Sequence, residues 1–85
     1  MNSDDAKKLT ATARKTWWKS DHAEDIVDEV AACIHAACDV GRDRTHTLLG
    51  TRDIMSWQRD MVIKHLEAQG FGVKLGFDVV ISWGD

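Results

Sequence analysis

The residues best equipped for chemistry lie in one short run, Cys33-Ile34-His35-Ala36-Ala37-Cys38. Two thiols and an imidazole invite a zinc reading, and zinc asks for about four ligands converging on a tetrahedron. The run falls where apolar residues repeat at helical spacing, and on one helix positions 33, 35 and 38 point in three directions. A fourth ligand would have to come from His22, His46 or His65, and no C-x-x-C pair is present. The expectation is therefore no metal and no cofactor. Five positions apart on a helix, the two cysteines have Cα atoms roughly 8 to 9 Å apart on different faces, which is beyond disulfide reach. Both read as small buried apolar side chains, with His35 on the surface.

A Cys–His nucleophile needs its partners to meet in space, and nothing in the spacing prescribes that meeting. No nucleophile elbow or Gly-rich phosphate loop occurs. The glycines at 70, 72 and 76 surround a strand and a turn and do not open a helix. Asp25 with Asp28, and Asp28 with Glu29, read as a solvated helix face and not as an acid–base pair. His65, midway along an apolar face, reads as a core histidine bonded to a carbonyl or a water, with pH sensing as the sharper alternative. The chain is expected to have no catalytic residues and not to be an enzyme.

Contact chemistry is better represented. Trp17 and Trp18 are adjacent, so on a helix their rings point about 100° apart. Either both pack inside, one against the second helix and one against the sheet, or Trp18 faces a partner. The cluster Arg14, Lys15, Trp17, Trp18 and Lys19 is the candidate partner-binding site, because tryptophan and arginine concentrate in binding hot spots. Such a cluster also suits stacking of single-stranded bases. The net charge of −3 and the acidic character of residues 21–43 argue against a broad phosphate-tracking surface. Charge is uneven along the chain. Residues 1–20 set Lys7, Lys8, Arg14, Lys15 and Lys19 against Asp4 and Asp5; residues 21–43 set seven acidic residues against Arg42. A basic arm beside an acidic helix can pair with itself or with a neighbouring copy.

The elements that position these residues follow from periodicity. Within residues 4–18, Ala6, Leu9, Ala13 and Trp17 form a thin helical stripe, which holds as a helix only when docked on something. Residues 20–41 carry the clearest stripe: Ile26, Val27, Val30, Ala31, Ile34, Ala37 and Cys38. Asp21 with Glu24 resembles a capping box, Ser20 is the alternative cap, and Gly41 fits the left-handed position after the helix. Residues 44–49 read as a short strand. Thr51 then caps a third helix over 52–69, whose wide face holds Ile54, Trp57, Met61, Val62, His65 and Leu66, with Gly70 ending it and Phe71 folding back. Phe71, Val73 and Leu75, then Phe77, Val79, Ile81 and Trp83, alternate as two strands joined near Gly76. Trp83 is expected to close the end of the core. Because a helix separates the first strand from the hairpin, a parallel, right-handed crossover pair is one expectation.

At 85 residues, with no linker-like tract, the chain reads as a single domain over 1–85: a basic helical arm (1–20), an acidic amphipathic helix (21–41) and a β-α-β-β unit (42–85). The fold class is α+β, a small three-stranded sheet packed on helices. No apolar run approaches a membrane span, and MNSDDAKKLT lacks the order of a secretory signal. The expected location is the cytoplasm of the cell that makes the protein.

This outline resembles a group of small proteins of tailed bacteriophages, structural or uncharacterised. The shared pattern is an amphipathic helix ending in small residues and glycine (here Ile34, Ala36, Ala37 and Gly41), then a strand and a helix ending L-x-x-x-G-aromatic-x-V (Leu66, Gly70, Phe71 and Val73). A final strand closes on Ile81-Ser82-Trp83. The likeness covers roughly residues 5 to 83. The chain departs from it in the Trp17–Trp18 pair and in the polar Arg42–Thr47 segment. The resemblance implies a non-enzymatic viral protein acting through protein–protein contacts, virion-associated or a homo-oligomeric accessory, whose partner is itself or another phage protein. The alternatives are an inhibitor that binds one host protein and a single-stranded nucleic-acid-binding module.

Overall fold

A computed structural model of the chain describes residues 1–47, 54–76 and 79–84. Two helices, α1 (Ser3–Trp18) and α2 (Asp21–Asp39), precede a strand, β1 (Arg44–Thr47). A third helix, α3 (Ser56–Ala68), leads to the strands β2 (Gly72–Leu75) and β3 (Val79–Ser82). The α+β class and the β-α-β-β order are as expected. Leu48 and Leu49, Thr51 and Phe77, which carried further expectations, lie outside the described residues.

Local signals explain where the helices begin and end. Asn2 caps α1 by accepting the Asp5 N–H at 2.9 Å, and Asp4 and Asp5 sit at the positive end of its dipole. Ser20, not an Asp21–Glu24 box, caps α2: its Oγ accepts the Ala23 N–H at 3.3 Å and donates to the Trp17 carbonyl at 2.5 Å. One hydroxyl thus ends α1 and starts α2. Gly41 (φ +78°) and Gly70 (φ +93°) occupy the left-handed position after α2 and α3. In each case the next two N–H groups reach back to close the helix: Gly41 to Cys38 and Arg42 to Ala37, then Gly70 to Glu67 and Phe71 to Leu66. The third helix begins four residues later than expected, at Ser56, where the Gln58 side chain accepts the Met55 N–H at 2.9 Å.

The sheet order is β1-β3-β2, with both pairs antiparallel. The expected parallel crossover pair does not form. The strands β1 and β2 do run parallel, but β3 lies between them, bonded to both. The hairpin partner takes the centre because it is the most apolar strand, and a strand flanked on both edges is the best buried.

The core joins Ile26 and Val30 of α2, Val62 and Leu66 of α3, and Val79 and Ile81 of β3. Ile26, Val62, Val79 and Ile81 have no more than 1% of their surface exposed. Ile63 is buried as well, though it lies beside the expected face of α3. Leu75 is exposed, contrary to the alternation, because it stands at the open end of edge strand β2. Trp83 is half-buried, not sealed in. Its ring meets Phe71 edge-on at 6.0 Å, and its backbone N–H donates to the Asp43 carbonyl at 3.0 Å. Cys33 is half-buried and Cys38 exposed; both thiols are free. Cys38 is turned about 100° from buried Ala37, so the buried-thiol expectation fails there.

Candidate interaction site

The α1 helix contributes no buried residue. Its first fourteen positions are exposed, Leu9 to 57%. The principal extents of the molecule are 53 × 24 × 23 Å and the radius of gyration is 14.7 Å. A compact chain of this length would have a radius of about 12 Å. The excess is α1 itself, about 24 Å of helix at 1.5 Å per residue, standing away from the body except at its last turn.

That last turn is held by aromatic rings. Trp17 lies edge-on to Trp57 at 5.3 Å and edge-on to His22 at 5.8 Å, and its Nε1–H donates to His22 Nδ1 at 3.1 Å. Trp18 packs on His65 at 5.3 Å. The Arg14 guanidinium lies 5.2 Å from the centre of the Trp57 ring, a cation–π contact. Trp57 Nε1–H in turn donates to Met55 Sδ at 3.1 Å. Positions 57, 61 and 65 form an i, i+4, i+8 row on α3, and Trp18, Met61, Lys64 and His65 line a shallow hollow there.

Of the five residues expected to bind a partner, Arg14, Trp17 and Trp18 are thus drawn into the junction between α1 and α3. Both tryptophans are half-buried against the core. Trp17 meets α2 at His22 as well as α3 at Trp57, and the ring contact of Trp18 is with His65 of α3. Lys15 and Lys19 stay exposed and make no ion pair among the described residues. His65 is half-buried under Trp18, whose ring lies 5.3 Å from its own, and it bonds no carbonyl among the described residues. Trp57 and His22 are the functional neighbours missed from sequence. The 57/61/65 row was visible in the periodicity, but not that the first helix ends on it.

The chemistry on offer is contact chemistry. Among the described residues no three His, Cys, Asp or Glu side chains gather closely enough to hold a metal ion, and His35 stands exposed on α2. No helix among them is long and apolar enough to cross a membrane. The outward face of α2 presents Asp21, Asp25 and Asp28 on successive turns, with Asp39 at its far end, all exposed. Comparison with models of known protein families, with curated proteins and with solved structures finds no match.

Proposed function

We propose that this chain is a non-enzymatic, phage-type protein that works by assembly, using α1 as the element that a neighbouring copy covers. The observation that carries this reading is a sixteen-residue helix with no buried residue, projecting from a small body. An isolated helix of that length is marginal in water, and helices in proteins draw their stability chiefly from packing. Ala6, Leu9 and Ala13 on α1 have no cover within the chain. Lys7, Lys8, Arg14 and Lys15 complement the aspartate row of α2 on a second molecule. The resemblance to small tailed-phage proteins supports a virion-associated or accessory role.

The test is molar mass by light scattering over a wide concentration range. The reading expects masses above the 9.5 kDa of one chain, falling toward it in Leu9→Lys and in high salt, which screens exposed charges. A constant 9.5 kDa at every concentration would overturn self-assembly and turn the reading toward a host protein as the partner of α1.

A further inference from the structure

The central position of β3 leaves β1 with no strand on its other edge among the described residues. Trp83 N–H donates to the Asp43 carbonyl, and 43 and 83 continue the register that pairs Thr45 with Ile81 and Thr47 with Val79. Antiparallel ladders alternate between bonded and non-bonded pairs. The pairs at 45 and 47 are therefore the bonded ones, and Arg44 and His46 aim their backbone N–H and C=O groups outward. Beside this edge runs an open groove of about 740 Å³ between β1 and the C-terminal half of α2. Cys33, Ala36, Ala37 and Val40 form its helix wall, and Val40 is 70% exposed. Arg42, Arg44 and His46 line the other side, where the acidic Asp43 is already paired with Arg44 at 3.3 Å.

We propose that β1 is a strand-addition site for an extended segment of a partner protein in which apolar and acidic residues alternate. The added strand takes its main-chain bonds from Arg44 and His46. Its side chains alternate between the two faces of the sheet. One set falls on the α2 side, against Ala36 and Val40. The other falls on the open face, beside the Arg44 and His46 side chains, with Lys74 opposite Val80 on the same face. A second copy of β1 is the wrong occupant: centred antiparallel pairing would set each Arg44 opposite a His46, basic against basic. This site is separate from α1 and does not depend on the assembly reading.

The test is amide NMR of the full chain titrated with a blocked six-residue peptide alternating valine and glutamate, against the same peptide with lysine in place of glutamate. The expected result is saturable shifts and slowed exchange at the Arg44 and His46 amides. Arg44→Pro removes an outward N–H without touching a ladder bond and should abolish the effect. Arg44→Glu should weaken binding roughly tenfold, the worth of one charge-assisted hydrogen bond. Ala36→Arg fills the groove from a surface position, and it too should abolish binding with the folded spectrum otherwise unchanged. Equal binding of the lysine peptide, shifts that avoid residues 44 and 46, or full binding by Ala36→Arg would each overturn the proposal.

Discussion

Trp17 shows what a single side chain does in a protein this small. It meets Trp57, Trp18 and His22 with its ring and satisfies its indole N–H on His22. Its contact with Trp57, together with that of Trp18 on His65, fixes the last turn of α1 to α3, and its contact with His22 ties the same turn to α2. Removing the ring in Trp17→Ala should cost about 2 to 3 kcal/mol, less than a fully buried aromatic because half the residue is already wet. Urea denaturation reads this directly. Arg14→Ala removes only the cation over Trp57 and should cost under about 1 kcal/mol. A larger loss from Arg14 than from Trp17 would mean that charge, not ring packing, holds the junction. The pair at 17 and 18 announced itself in the sequence as contact-making. Its partners were not legible, because a ring–ring contact depends on where two helices cross, and nothing local encodes that.

Among the elements, the ends were more legible than the neighbours. Gly41 and Gly70 marked two helix stops because only glycine enters that backbone region freely, and both carry positive φ. Open space surrounds the position a Cβ would take at each, so Gly70→Ala should cost only the backbone term, about 1 to 2 kcal/mol, measured as a loss of thermal stability. Ser20→Ala should cost about 1 kcal/mol, although Ser20 also bonds the Trp17 carbonyl and so affects both helices. The strand order was not legible. Alternation along Val79–Ser82 says which face is buried, but whether that strand sits at the edge or the centre depends on how many strands compete for it. The same limit hid the exposure of Cys38 and Leu75: period assigns a face, and the body ends before the stripe does.

At the scale of the molecule, the chain divides into a packed body and a helix without a core of its own. Residues 1–13 bury nothing within the chain, so deleting them should change the unfolding free energy of the dilute protein by under about 1 kcal/mol. Substitution in the body behaves differently: Ile81→Ala should cost about 3 to 4 kcal/mol, because Ile81 is fully buried on the central strand. If the arm exists to be covered, its backbone amides will report it. Hydrogen exchange of residues 5–13 should be fast in dilute solution and should slow as concentration rises, while amides of β3 stay protected throughout. Exchange in that segment that is equally fast at all concentrations would contradict the claim that α1 is the assembly element.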